Sequence, residues 1–453
     1  MSKNIVLKKG LNIPINGLAE LRLSKTVSPD EVAIQPSDFK GLMPRLLVKE
    51  GDAVLCGSPV LSDKKNPDIL ISSPASGIVK EIVRGEKRKL LAVVIKADTQ
   101  QEYFDFGKAD VNALSAEEIR AALLKSGLWP FIIQRPYGTL ADTAATPKAI
   151  FVSAFSTAPL AACPEFTLGD RVADIQIAVN ALAKLSEQGV HVSLCADNAD
   201  STPFAKLENC TIHTFKGKHP AGNVGVQISH ICPIVKDSIV WTVSLEGLAA
   251  IGKFFKTGKV DLRRKVAVCG PMAIEPSYVE CIPGTPIKAF NGYYGTLASD
   301  IRFVSGDILS GANVTENGYL GFKDNQITLI REGNEKEAFG WIRPIRYKQF
   351  STDHCYFSWL TPWRKYDMDT NLHGGPRAFI MNDAYYAKVL PMDIYPLYLV
   401  KACLAGDIDK MEKFGIYEVL PEDLALCEFV DPSKNYIQDI IAKGIDLMLK
   451  EMA

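Results

Sequence analysis

Two stretches decide how the chain begins to fold: V48-K-E-G-D-A-V-L-C-G-S-P-V-L61 and I71-S-S-P-A-S-G-I-V-K-E-I-V83. Each breaks short Val/Ile/Leu runs with turn residues: Gly51-Asp52 and Gly57-Ser58-Pro59 in the first, Pro74 to Gly77 in the second. Between them lies a polar break, S62-D-K-K-N-P67, and after them R84-G-E-K-R-K89 and L90-L-A-V-V-I-K-A97. Residues 43 to 97 therefore predict a small all-β barrel or sandwich. Outward from it the period changes: A116-E-E-I-R-A-A-L-L-K-S-G127 spaces its apolar residues as a helix does and ends on a glycine suited to a C-cap.

From Lys148 strands and helical stretches alternate: KAIFVSAF, RVADIQIAVNALAKLSEQG, VHVSLCA, ENCTIHTF, SIVWTVSL and GLAAIGKFF. That alternation predicts βαβ units and a largely parallel, doubly wound sheet. A further β-rich unit is expected from Lys259 (KVAVCG, TPIKAF, DIRFVSG, GYLGF, QITLI), and helices from Pro391 to the end. The last helix lines Ile437, Ile440, Ile441, Ile445, Met448 and Leu449 along one stripe, which must be buried against this chain or another.

At 453 residues the chain has room for about three domains of roughly 150 residues each. Its 51 Lys+Arg against 52 Asp+Glu leave no basic field, so a nucleic-acid partner is not expected. The start, M1-S-K-N-I-V-L-K-K-G10, lacks the apolar core of a secretory signal, and the longest uncharged windows fall short of the roughly 20 residues that span a bilayer. A cytoplasmic location and peripheral membrane association are expected. None of the ten cysteines forms a C-x-x-C pair and the six histidines join no carboxylates in a ligand pattern, so no metal is expected.

The paired hairpins resemble biotinyl and lipoyl carrier domains, where a lysine on the exposed turn carries the cofactor. Lys64 and Lys65 occupy that turn, but the spacing to Ser73-Pro74 is one or two residues too long, and they read as solvated surface residues. The first strand-to-helix turn of the α/β region, STAPLAACPEFTLGD, lacks G-x-G-x-x-G, so an NAD site has no sequence support. G217-K-H-P-A-G-N-V-G225 is the richest glycine and polar cluster. It reads as a loop, with Gly217, His219, Gly222 and Gly225 the candidates for an anion-binding nest. Ser37-D-F-Lys40 matches S-x-x-K without a supporting elbow, and no nucleophile is assigned. Arg84, Lys87, Arg88, Lys89 and Arg263, Arg264, Lys265 read as solvated turns.

Ten motifs in order carry a family resemblance: I5-V-L-K-K-G-L-N-I-P-I15, K49-E-G-D52, D63-K-K-N-P67, P74-A-S-G77, H219-P-A-G-N-V-G225, A250-I-G-K-F-F-K-T-G258, Y319-L-G321, E335-K-E-A-F-G-W-I342, P391-M-D-I394 and E422-D-L-A-L-C-E-F-V430. Together they resemble the NqrA family of the sodium-translocating NADH:quinone oxidoreductases. The resemblance implies a peripheral, cytoplasmic-side component of a six-subunit bacterial inner-membrane pump, partnered by subunits B to F. By the same resemblance it would carry no redox cofactor of its own and would be associated with quinone. NADH, flavin and iron–sulfur chemistry would belong to the partners. The implied architecture is a biotinyl/lipoyl-like β barrel-sandwich (1–105), a Rossmann-like α/β domain (106–258), a β-grasp domain of the soluble-ligand-binding type (259–330), and a connecting segment with a helical C-terminus (331–453).

Related subunits of the Rnf complex and of respiratory complex I place a glycine-rich loop after a helix ending in Ser-Gly, and in complex I it cradles a flavin phosphate. Here Ser126-Gly127 is followed by L-W-P-F-I-I-Q-R-P-Y-G, where Trp129, Pro130, Phe131 and Pro136 stand in place of glycines, so flavin binding is expected to be lost. The ferredoxin-like cysteine runs of the Rnf counterpart are missing after Cys427. The same substitution makes Trp129, Phe131, Arg135 and Tyr137 candidates for a quinone-associated patch, rings for stacking and a cation or hydroxyl for the carbonyls; the alternative is that the rings cap the core of the β unit. Two other functional classes remain: a swinging-arm carrier on Lys64 or Lys65, and a stand-alone NAD-dependent oxidoreductase.

Overall fold

The computed structural model describes residues 2–295, 298–333, 335, 346–354, 357–371 and 382–451. Most of the E335–I342 motif, from 336 on, and Cys355 lie outside them. Residues 31 to 97 form the expected β unit. Glu31–Ile34, Leu90–Ala97, Gly77–Arg84 and Ala53–Val54 make a four-stranded antiparallel sheet, and Pro44–Leu46, Pro59–Asp63 and Leu70–Ser72 a three-stranded one. Val32, Val93 and Ile95 of the first sheet and Val60 and Leu61 of the second are all buried in one core.

The second unit is a seven-stranded sheet. Its strands in chain order are β1 (Asn4–Val6), β2 (Ile133–Arg135), β3 (Thr139–Leu140), β4 (Ile150–Ser153), β5 (Val190–Cys195), β6 (Cys210–Lys216) and β7 (Val240–Thr242). They lie side by side as β1-β6-β5-β4-β7-β2-β3. The five from β1 to β7 are mutually parallel, with Val152 opposite Val192 and Phe151 opposite Thr242, while β2 and β3 close the far edge antiparallel. Helix α1 (Ala116–Ser126) leads in, its Ser115 and Glu118 forming a reciprocal capping box and Gly127 ending it at φ 72°.

The helices α2 (Val172–Ala183) and α3 (Val224–Ile231) connect parallel strands, β4 to β5 and β6 to β7, and α4 (Leu245–Thr257) follows β7 and leads to the third sheet. Successive β4 residues point to opposite faces. Ile150 and Val152 join Ile175 and Val179 of α2 and Leu248 and Ile251 of α4, whereas Ala149 and Phe151 join Val226 and Ile228 of α3. Both faces of the sheet are thus covered. The chain steps outward from β4 to β5 to β6, then returns through α3 to β7 on the other side of β4, so the order reverses between β4 and β7.

A third sheet joins Ala312–Val314, Ile301–Ser305, Gln326–Arg331, Arg264–Cys269, Ser277–Cys281 and Leu23–Thr26. Two expectations there are corrected. T285-P-I-K-A-F290 opens a 3-10 run, Ile287–Tyr293, because Ile287, Phe290, Tyr293 and Tyr294 recur at helical intervals and seal the sheet from one side. GYLGF contributes only the isolated bridge from Tyr319 to Pro286. The C-terminal helices cover the α3 face, and Ile437, Ile441, Ile445 and Met448 of Ile437–Glu451 share one core with Phe151, Val226, Leu399 and Leu424. The stripe on the last helix is therefore buried in its own chain. No helix among the described residues is long and apolar enough to cross a membrane.

Candidate functional site

The strand ends at the β4/β7 reversal open into a cavity of about 980 Å³. Open α/β sheets place ligands at such a reversal, beyond the carboxyl ends of the strands. Ser153 leaves β4 here, its Oγ 2.9 Å from the carbonyls of Phe155 and Gly222 and accepting from Gln227 Nε2 at 2.8 Å. Ser244, just past β7, caps α4 by accepting from the Gly247 amide at 3.1 Å. Every part of the chain reaches the cavity: Lys40 and Lys89 from the barrel region, Phe131 and Arg135 from the α/β region, Lys323 from the third sheet, Leu420 and Glu422 from the C-terminal region.

Arg135 is the best-defined group in the wall. It is 2% exposed, donates to Asp423 Oδ2 at 3.0 Å and to Glu422 Oε1 at 3.1 Å, and Asp423 Oδ2 also accepts from the Leu420 amide at 3.0 Å. Glu422 opens onto the cavity. Desolvation there, with Asp423 beside it, raises its carboxyl above the usual range against the pull of Arg135. Asp38, behind Lys323, is pushed up to about 6 by burial despite accepting from the Phe322 amide at 2.9 Å.

The four quinone candidates do not form one open patch. The 3-10 turn Trp129–Phe131 turns Trp129 inward, where it is fully buried, donates through Nε1 to the Ala141 carbonyl at 2.8 Å and meets Trp241 edge-on at 5.5 Å. Tyr137 packs on Tyr417, with ring centroids 6.1 Å apart. Phe131 and Arg135 alone of the four line the cavity. Trp129 therefore behaves as the core residue of the alternative reading.

The glycine loop is likewise taken up by packing. His219 is buried, its Nδ1 3.2 Å from Thr157 Oγ1 and its amide donating to Asn12 Oδ1 at 2.9 Å, and burial lowers its pKa. The Gly222 amide is spent on Thr157 Oγ1 at 2.9 Å, so this loop is not an open nest. A side chain on Gly217 would press on Leu7, and one on Gly225 would lie 2.2 Å from Asp423 Oδ2, which explains the glycines as close approaches. Gly222 is the one member of the set lining the cavity.

Lys64 and Lys65 sit on an exposed turn, as expected. Arg264 does not: it is 7% exposed and donates to the Gly321 carbonyl at 3.0 Å, because its strand is central in the third sheet. The sequence reading missed Lys40 and Lys323 as site residues. Each lies beside a glycine and an aromatic, F39-K-G41 and G321-F-K323, a local feature that does not say the two come together. Among the described residues no His/Cys/Asp/Glu group could hold a metal ion. The nine described cysteines are free, and burial pushes Cys269 up to about 12, the opposite of an activated thiolate.

A barrel-sandwich unit joined to an α/β domain, with a helical C-terminal region closing one cavity, defines a mixed α/β multidomain protein. Residues 5–98 match the NqrA N-terminal barrel-sandwich hybrid domain and residues 114–260 the NqrA second alpha/beta domain. The chain is 35% identical over 451 residues to the NqrA component of the Na(+)-translocating NADH-quinone reductase of Rhodopirellula baltica, covering 98% of each. It is 35% identical to that of Neisseria meningitidis serogroup B and 36% to that of Actinobacillus pleuropneumoniae serotype 5b, with 99% of this chain and all of each relative covered. The chain belongs to the NqrA family of Na(+)-translocating NADH-quinone reductase subunits. Among solved structures, an air-oxidised NAD+-reducing [NiFe]-hydrogenase aligns with 50% of this chain and 48% of its own at 14% identity and a TM-score of 0.35, too low to carry an argument.

Proposed function

We propose that the chain serves as the peripheral NqrA component of a sodium-translocating NADH-quinone reductase on the cytoplasmic face of a bacterial inner membrane, assembled with subunits B to F. Its part is scaffold and quinone association. Electron transfer from NADH through flavins and iron–sulfur centres falls to the partners, and this chain brings no redox cofactor. The observation that carries the reading is the likeness to NqrA relatives from end to end, 35% over 451 residues.

The geometry adds a place for the quinone association. The ring of Phe131 and the guanidinium of Arg135 stand in one cavity wall, with Trp129 and Tyr137 holding that wall from behind. In the same proposal the seven-stranded sheet is Rossmann-like, and the third sheet, with its 3-10 run and central parallel pair Arg264–Cys269 and Gln326–Arg331, is a β-grasp. The domains divide at 1–105, 106–258, 259–330 and 331–453, with Asn4–Val6 and Leu23–Thr26 lent as edge strands to the second and third. The residues after α1 do not fit a flavin-phosphate cradle: Trp129, Pro130 and Phe131 are buried there and leave no glycine backbone to close on an anion.

Tagging the chain in its native cells and identifying what co-purifies from gently solubilised membranes tests this. Five further subunits with sodium-stimulated NADH:quinone activity are expected. Recovery of the chain alone from the soluble fraction overturns the assignment. A photoreactive quinone should mark the peptide holding Phe131 and Arg135; labelling confined elsewhere removes the local part only.

A further inference from the structure

The cavity has a second wall whose chemistry does not suit a neutral quinone. Lys40, on the turn after Pro36–Asp38, and Lys323, on the turn before Gln326–Arg331, line it, both half-buried. Neither ammonium has a hydrogen-bond or ion-pair partner among the described residues, although long side chains ordinarily carry their charge out to water. Burial pushes Lys323 down to about 8 and lowers Lys40 as well, so holding these charges here has a cost. Lys89 adds a third cation at the exposed end.

The carboxylates nearby do not cancel them by contact. Glu422 is engaged by Arg135, Asp446 lines the rim, and Asp38 and Asp324 act on Lys323 through space without a salt bridge. Gly222 and Val224, where α3 begins, also line the cavity, but the Gly222 and Asn223 amides donate to Thr157 and Pro220 and leave the lysines as its free cations among the described residues. Phe131, Ile133, Val243 and Leu420 give the same cavity an apolar surface. A neighbouring space of about 220 Å³ shares Ser153, Ser244 and Lys323 with the cavity. At about 980 Å³ the cavity is large for an inorganic anion and matches drug- and nucleotide-sized ligands.

We infer that this cavity binds a nucleoside phosphate, with its phosphates on Lys40 and Lys323, its base on the Phe131–Leu420 surface, and Glu422 and Asp446 in reach of ribose hydroxyls. Lysine is a compact point charge suited to phosphate, and a carboxylate is the usual partner of a ribose hydroxyl. The site goes beyond the quinone reading and does not require it. The two share Phe131, so a bound nucleotide and a quinone in this cavity would compete.

The test is calorimetric titration of the full chain with AMP, ADP and ATP, with inorganic phosphate and adenosine as part-ligands. Saturable nucleotide binding that weakens with salt is expected, with adenosine and phosphate each far weaker. K323M and K40M should each weaken it about tenfold, the loss of one charged contact, and K323R should retain most of it. If either buried lysine variant melts abnormally, K89M at the exposed rim still reports, with a severalfold weaker affinity. No saturable binding by any nucleotide overturns the inference, as does binding unchanged by all three lysine variants. Phosphate binding as tightly as the nucleotides overturns the nucleoside part. Quinone photolabelling of the assembled complex is scored separately, so either assignment can fail without the other.

Discussion

Two buried polar pairs sit in the same sheet and do opposite things with charge. On β2, Arg135 is ionically bound to Asp423 of the C-terminal region at 3.0 Å, and both are almost wholly buried. On β5 and β6, His191 Nδ1 lies 2.9 Å from His213 Nε2, and His213 Nδ1 accepts from the Lys3 amide at 3.1 Å. That acceptance fixes the tautomers. The His213 proton must be on Nε2, donating to His191, whose own proton is then on Nε2, an atom left without a partner. Burial pushes His213 down to about 4 and lowers His191, so the pair is neutral and ties the N-terminal strand β1 to the sheet without introducing charge. The charged pair is at the cavity and the neutral pair is away from it. The first pair holds charge beside the cavity, and the second ties strands together without it.

The charged pair should break hardest. Asp423→Ala leaves Arg135 buried against Glu422 alone and should cost about 3–5 kcal/mol in urea unfolding. A double variant, Arg135→Met with Asp423→Leu, should cost less than that single change, because it removes both charges. A single-variant loss below about 1 kcal/mol would mean the pair is solvated, and the contrast with the histidines would collapse.

The histidine pair responds to pH instead. With the folded pKa depressed, the unfolded chain takes up protons first as pH falls through about 6.5, so stability is full above that value and declines until about pH 4, where the folded pair protonates too. The loss expected over that window is on the order of 1–3 kcal/mol. Carboxylates such as Asp261, held well below their range by Arg263 and Lys253 against the opposing effect of burial, add a background at lower pH. The readout is therefore the difference between the native chain and His213→Phe, which should lose the slope between pH 6.5 and 4.5. Equal slopes in both chains would show the pair is not the source.

The sequence disclosed these features unevenly, for physical reasons. Strands 43 to 97 and the βαβ alternation from Lys148 were legible because their burial follows local periods, and α1 because Ser115 and Gly127 mark its ends. Asn4–Val6 and Leu23–Thr26 were not, since three- and four-residue edge strands carry no period and pair with partners about 200 and 250 residues away. The Ile287–Tyr293 run was misread as strand because Thr285, Pro286 and Ile287 look like one until the i, i+3 spacing is followed onward. At the site, Phe131, Arg135 and Gly222 were chosen from local chemistry and do reach the cavity. Lys40, Lys323 and Glu422 converge on it from three separate regions, which no local pattern encodes.

A third pair, Lys64 and Lys65, sets the zero of the comparison. Both side chains are exposed, and the contacts of this turn run through backbone, the Lys64 amide donating to the Met43 carbonyl at 2.8 Å and the Lys65 amide to Asp63 Oδ1 at 3.3 Å. Neither contact needs the ammonium, so Lys64→Ala and Lys65→Ala should change unfolding by no more than about 0.5 kcal/mol. Intact mass should equal that of the unmodified chain, since a lysine carrying lipoate or biotin would show as a fixed increment. An increment that vanished in one of the two variants would turn this exposed turn into a working arm, and would put the carrier reading ahead of the scaffold one.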